Sequence, residues 1–392
     1  MPSLKSEYLL DPNVIYLNHG SFGACPRQVF DAYQSWQREL ERNPVAFIGQ
    51  RLPALLSQAR FKLADYLGVD PNEVVYFTNP TTAINMAARS LDLKPGDEIL
   101  TTTFEYPAME QTWNYIAHKT GARYIHQPTP LPVLSEEEFI ESFWTGVNPN
   151  TRVIFLSHIA PFIALILPIQ EICRRARAAG IITMIDGAHA PSQIPLNLTE
   201  IGADVYVGAC HKWLSAPKGA GFLYASPAAQ AWLEPLVISG GWVEEKPLSS
   251  LNAPDGRSWL VVYNESQGTR DPSAFLSVPA AIQFQESHHW DEQRQRCHEL
   301  ISSTRARINA LTGLPALCPD SNRFFSQMAS VLLPDTDIGL LGRRLNEEFH
   351  IVAPIIPVQD KFCLRISFQA YNDEYDADQI VHALAEILAL NE

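Results

Sequence analysis

Apolar residues along this 392-residue chain recur in two rhythms, and the switches between them predict its elements. Ser57–Leu67 and Thr82–Leu91 carry helical spacing, the second following the turn-rich Thr78, Asn79 and Pro80. Glu98–Thr103 reads as a strand, and Pro107–Thr120 as a helix with proline at its start. Arg123–His126 is a short strand, and Ser135–Trp144 a helix that opens on the capping pattern Ser-Glu-Glu-Glu. The strongest strands follow: Val153–Ser157, Ile181–Ile185, Val205–Gly208 and Gly221–Ala225. A helix over Ile169–Ala179, stopped by Gly180, separates the first two. Strands divided by helices of this length imply right-handed crossovers and a mostly parallel sheet. In such sheets ligands bind beyond the carboxyl ends of the strands, which gives each motif a positional test.

Ser226–Pro279 has no regular rhythm and is rich in Gly, Pro and Ser, yet Trp232, Trp242, Trp259 and Tyr263 make it too apolar for a free tether. Beyond it the pattern predicts a long helix over Ala280–Leu311 and strands at Met328–Leu333, His350–Pro354 and Phe362–Phe368. A last helix is expected from Asp376 to Leu390. The chain therefore divides into an N-terminal segment (1–19), a large α/β unit (20–279) and a smaller α+β unit (280–392). It carries no internal repeat.

Composition narrows the function. Apolar residues make up 46% and charged residues 18%, the balance of a globular chain with a sizeable core. A net charge of −14, without a basic stripe, argues against nucleic acid. No signal-peptide pattern opens the sequence, and the longest apolar stretch, Ile159–Leu167, is too short for a bilayer. The sequons at Asn197 and Asn264 are then chance, and the expectation is a cytoplasmic protein without membrane or metal. The six cysteines form no C-x-x-C pair. Neither G-x-S-x-G nor H-E-x-x-H occurs, which argues against a serine hydrolase elbow and a zincin.

Two segments carry chemistry. In ADVYVGACHKWLSAPKGAGFL (203–223) an apolar strand runs into small residues, then His211 and Lys212, then a glycine-rich return strand. A lysine packed there is partly desolvated, so its amine is available for imine formation. The same residue could be a surface lysine at a strand end. Twenty-six residues earlier, IITMIDGAHAP (181–191) delivers Asp186 at the end of an apolar strand. A carboxylate there can hold a pyridine nitrogen protonated, or merely cap the following turn.

Together the two segments resemble the class V aminotransferases, fold type I enzymes of pyridoxal 5'-phosphate, over nearly the whole chain. The resemblance implies that Lys212 is the Schiff-base lysine and that Asp186 holds the pyridine nitrogen. It places His189 near the ring hydroxyl and His211, Thr81 and Thr82 at the phosphate. It sets Tyr106 on the cofactor face, where a plain buried aromatic is the alternative. Thr269 and Arg270, in QGTRD, resemble the loop through which a second subunit reaches the phosphate, implying a homodimer with shared sites. Arg365 matches the arginine that holds a substrate carboxylate, as a bidentate fork would, though an ion pair at a strand end is open.

The stretch YLNHGSFGACP (16–26), with Asn18 and His19 on the substrate side, is similar to the isopenicillin N epimerase-like branch. One departure stands out. After Ser157 and His158 that branch shows hydroxyl residues, whereas here Ile159, Ala160, Pro161, Phe162 and Ile163 follow. Desulfurases of the superfamily use a mobile-loop cysteine, which 350–359 lacks; Cys363 is either a thiol on the Arg365 side of its strand or a core residue. The expected function is an enzyme acting at Cα of an amino acid by epimerisation, β-elimination or transamination. The alternatives are a cysteine or cystine C–S lyase, and a non-catalytic protein that keeps the fold.

Overall fold

A computed structural model describes residues 3–243, 252, 253 and 255–389. Its strands are β1 (Ile15–Tyr16), β2 (Val74–Phe77), β3 (Glu98–Thr102), β4 (Arg123–Gln127), β5 (Thr151–Ser157), β6 (Ile182–Gly187), β7 (Val205–Ala209), β8 (Gly221–Ala225), β9 (Met328–Leu332), β10 (Ile351–Val352), β11 (Ile355–Val358) and β12 (Lys361–Ser367). Seven of them form one sheet in the order β2-β8-β7-β6-β5-β3-β4. Only β8 runs against the others, pairing antiparallel with both β2 and β7. The expected fold is present: an α/β fold of type I with a mostly parallel sheet.

The apolar runs are continuous because both faces of the sheet are covered. Val153 and Phe155 of β5 point into one core with Met184 of β6 and Val207 of β7. Their neighbours Ile154, Leu156, Ile185 and Tyr206 point into the other. Helices Pro80–Arg89 and Pro107–Thr120 cover the first face through Met86, Met109 and Trp113. Helices Leu52–Leu67 and Ile169–Ala178 cover the second through Leu63, Ile172 and Cys173.

Toward the carboxyl end, β11, β12 and β9 make an antiparallel sheet backed by helices Trp290–Thr312 and Glu374–Ile387. The first strand, β1, leaves the amino-terminal region and pairs in parallel with β10.

Several expectations are corrected. The single helix over Ala280–Leu311 is two, Val278–Ser287 and Trp290–Thr312, broken where His289 takes φ 51°. That left-handed residue ends one helix axis and starts another. The strand expected over His350–Pro354 is only the two residues of β10, and a separate strand, β11, begins just beyond it at Ile355. Within 226–279 helices form at Pro227–Gln230, Trp259–Glu265 and Ser273–Leu276; residues 244–251 and 254 of that stretch lie outside the described residues, as does Leu390. Strand β2 and the 16-residue helix Arg27–Arg42 had no counterpart in the apolar pattern. The former is only four residues long, and the latter buries only Val29 completely.

Strand β7 sits tightly on β8 because Gly208 has no side chain: a Cβ there would lie 2.3 Å from Cζ of the buried Phe222. Gly208→Ala is therefore expected to lower stability by about 1–3 kcal/mol through overpacking. Urea unfolding measures it, and an unchanged midpoint would refute the packing constraint.

Candidate active site

The carboxyl ends of β5, β6 and β7 and the segments leaving β2 and β3 open on one cavity of about 430 Å³. Strand β7 delivers His211 and Lys212 to it. The chain turns sharply just beyond, with the Ala216 N–H on the Cys210 carbonyl at 2.9 Å and Ser215 at φ 61°. From outside, Gly23 presses on this turn. At φ 68°, its missing Cβ would stand 2.2 Å from the His211 carbonyl oxygen, so only glycine suits both the backbone and the space.

Lys212 Nζ lies 3.1 Å from His189 Nε2. The Trp213 indole N–H donates to His189 Nδ1 at 3.3 Å, so the neutral ring carries its proton on Nε2. That proton points at Nζ, an arrangement that suits the unprotonated form of the amine. Burial pushes the Lys212 pKa down to about 8, against the pull of Asp186, which favours the charge. Burial likewise holds the His189 ring well below its ordinary pKa, and the charge on Lys212 works in the same direction. Burial thus keeps the imidazole neutral near pH 7–8 and brings the neutral form of the amine within reach as pH rises through about 8.

Asp186 ends β6 beside Ser157 of β5. Its Oδ1 accepts the Ala188 N–H at 2.9 Å, a turn rather than a helix cap. Burial raises its pKa, while the Ala188 bond and Lys212 oppose the rise. Arg365, on β12, closes the far side of the cavity. One guanidinium nitrogen donates to the Pro161 carbonyl at 2.6 Å and the other to Ser21 Oγ at 2.9 Å, with Asn18 Oδ1 at 3.4 Å. Its Nε is buried without a partner among the described residues. Burial lowers the Arg365 pKa to about 10, which leaves it charged at neutral pH.

Of the residues singled out from sequence, Lys212, Asp186, His189, His211, Thr81, Tyr106 and Arg365 all line this cavity. Tyr106 is 45% exposed there, so the alternative of a buried aromatic does not hold. Asn18 and His19 stand one layer behind: Asn18 supports Arg365, and His19 Nε2 donates to the Lys212 carbonyl at 3.0 Å. The Thr82 N–H is taken by Asn79 Oδ1 at 2.8 Å. Thr269 and Arg270 do not line the cavity of their own chain, and Arg270 rests over the Phe275 ring, bonded to Gln267 Oε1 and the Asn264 carbonyl. Cys363 is a buried core residue whose thiol burial pushes up to about 12; none of the six cysteines lines the cavity.

Sequence reasoning missed Glu105. It follows β3, is buried, and accepts bonds from the Ser157 N–H (3.0 Å), the Ser157 hydroxyl (2.6 Å) and the Thr102 hydroxyl (2.7 Å). Burial lifts its pKa to about 7, against those three bonds. A lone Glu after a strand carries no periodic signal; only its neighbourhood marks it.

The residues present fit pyridoxal 5'-phosphate. Asp186 Oδ2 has no partner within the described residues, although its carboxyl lies on the cavity wall, and a pyridinium N–H would complete it. Helix Pro80–Arg89 starts at the same wall, where the Thr81 N–H has no partner among the described residues and the helix start suits an anion. A buried amine beyond one strand and a carboxylate ending the next define a fold type I pyridoxal phosphate enzyme. The chain belongs to the class V aminotransferase family, which it matches over residues 15–380. It is 37% identical to the isopenicillin N epimerase of Streptomyces clavuligerus, over 97% of this chain and 96% of that one. It is 26% identical to a probable chloroplastic L-cysteine desulfhydrase of Arabidopsis thaliana, over 95% of this chain and 83% of that one. In solved structures its fold is similar to a C-DES variant carrying glycine covalently linked to its cofactor (TM-score 0.82, 22% identity, 98% and 100% of the chains covered). No helix of the described residues is long and apolar enough to cross a membrane.

The lowered pKa of Lys212 has a kinetic consequence. When pyridoxal phosphate is added to cofactor-free protein, only the neutral amine attacks the aldehyde, so the rate of visible-absorbance growth should rise with pH and level off above about 8. An ordinary lysine would still be gaining rate near pH ~10. Borohydride should then leave the label on the peptide containing Lys212, and a label on any other lysine would refute the assignment.

Proposed function

We propose that this enzyme removes the Cα proton of an amino acid and returns a proton with inversion, as a cytoplasmic homodimer whose sites are each completed by the other subunit. The observation that carries the reading is the desolvated Lys212 amine, 3.1 Å from His189 Nε2, in one cavity with Asp186 and Arg365. Bound pyridoxal phosphate supplies the electron sink for the pair left at Cα. Arg365 grips the substrate carboxylate, with Pro161 and Ser21 holding the plane of its guanidinium. The Lys212 amine, whose pKa burial lowers to about 8, takes the proton from Cα in its unprotonated form. Asp186 would keep the pyridine nitrogen protonated, and His189, whose Nε2 faces the Lys212 amine, would stand on the ring hydroxyl side.

Thr81 and Thr82, at the start of their helix, would hold the phosphate, and Tyr106 would supply an aromatic face to the cofactor ring. His211 donates its Nδ1 proton to the Ala220 carbonyl at 2.9 Å, and burial lowers its pKa to about 4. A phosphate dianion beside Nε2 works against that shift and favours a second proton. Asn18 and His19 act through Arg365 and Lys212. Six unpaired cysteines, five of them buried, suit a reducing compartment.

Inversion is supported by the likeness to isopenicillin N epimerase. A second outcome, β-elimination from cysteine or cystine, draws on the likeness to the desulfhydrase. Sulfur transfer through the chain's own thiol has no support, since no cysteine lines the cavity. Incubating the holoenzyme with L-amino acids in D₂O separates the readings. The expected result is Cα deuteration with formation of the D-isomer; pyruvate and sulfide from cysteine would replace inversion by elimination, and a keto acid by transamination.

The shared site has its own test. Thr269 and Arg270 offer a hydroxyl and a guanidinium suited to a phosphate, and they lie away from their own cavity. Mixing a Lys212→Ala chain with an Arg270→Ala chain, each weak alone, gives heterodimers with one intact site. Random exchange at equal amounts should restore about a quarter of the wild-type activity. Demonstrated exchange without recovery would mean that Arg270 does not serve the partner's site.

A further inference from the structure

The wall between Arg365 and the strand ends is built by the apolar run after His158. Ile159 and Ile166 bridge as a short antiparallel turn, closed by the Ala160 N–H on the Leu165 carbonyl at 2.8 Å and by Ala164 at φ 58°. Its polar groups are spent on the protein. The Pro161 carbonyl takes the Arg365 guanidinium, and the Phe162 carbonyl takes the Ser330 hydroxyl at 2.7 Å. What remains toward the cavity is hydrocarbon: Ile159 and Phe162, faced by Ile356 and by Phe22 at the mouth.

Two hydroxyls that line this cavity are committed to the protein. Ser157 gives its hydroxyl proton to Glu105, and Ser21 donates to Asn18 Oδ1 at 2.6 Å while accepting from Arg365. The charged groups among the described lining residues are Asp186, Lys212 and Arg365, and each has a role at the cofactor or the α-carboxylate. No second cation waits for a side-chain carboxylate, and no second anion for a side-chain amine, among those residues.

We propose that the substrate is an amino acid whose side chain is uncharged and apolar beyond Cβ, selected by Ile159, Phe162 and Ile356. The proposal rests on the reading of the site as one that binds an amino acid through Arg365. Within that reading it excludes acidic, basic and amide side chains of the same length. A polar group entering this wall leaves its water without gaining a partner, the circumstance in which discrimination is largest.

The test titrates the holoenzyme with L-alanine, L-norleucine, L-glutamine, L-glutamate and L-lysine, reading the cofactor's visible absorbance for affinity. The expected result is binding of norleucine about a hundredfold tighter than glutamine, its near-isostere, with glutamate and lysine weaker still. Phe162→Asn, with cofactor absorbance as the check on folding, should narrow the norleucine-to-glutamine ratio about tenfold. Glutamine, glutamate or lysine binding as well as norleucine would overturn the proposal while leaving the amino-acid reading intact, provided alanine gives a response. An unchanged ratio in Phe162→Asn would overturn the assignment to this wall. Silence from all five, alanine included, would remove the amino-acid reading and this proposal with it.

Discussion

The free energy of stripping water from one primary amine governs the site. Lys212 is buried at the end of a strand whose sides are closed by the sheet, so its charged form loses hydration that Asp186 alone does not replace. The surrounding parts serve that condition. Trp213 fixes the tautomer of His189, which offers a proton where a lysine ammonium would need an acceptor. Gly23 lets the amino-terminal segment lie against the backbone of His211 and Lys212 without a side chain between them. His19 bonds the Lys212 carbonyl and is itself tied through Nδ1 to the Tyr371 hydroxyl at 3.1 Å. Position and protonation of the amine are thus held by residues from both ends of the chain.

The two carboxyl groups near the strand ends answer to the same physics differently. Asp186 and Glu105 are both buried, and the charge of Asp186 contributes to the rise in Glu105. Asp186 has a cationic neighbour in Lys212, whereas Glu105 has only hydroxyl and amide donors. Glu105 therefore sits close to its midpoint at neutral pH, and Ser157 ties it to the strand next to Asp186.

Much of this was legible in the sequence because its signals are local. The central strands announce themselves as unbroken apolar runs, and the parallel-sheet rule then puts Asp186, His211 and Lys212 on one edge. What was hidden depends on distance along the chain. The bond from Arg365 to Asn18 spans 347 residues, and no pattern in either stretch records it. Glu105 was missed because its partners, Thr102 apart, come from another strand. The break at His289 was missed because helical spacing continues on both sides of it, with only one backbone angle reversed. The apolar run after His158 was visible as a departure, but its turn, which hides the backbone and shows only hydrocarbon, required the fold.

The pairing of β1 with β10 sets an order of events on the ribosome. Ile15 has no strand partner until Ile351 has been made, and His19 has neither Tyr371 nor Gln369 to lean on until the chain is nearly finished. The central sheet, complete by Ala225, can form while synthesis continues. The floor of the catalytic cavity therefore exists well before its amino-terminal clasp. A nascent chain stalled before residue 351 carries the lysine and the carboxylate, while the amino-terminal segment that lies against them still lacks the strand and side chains that hold it.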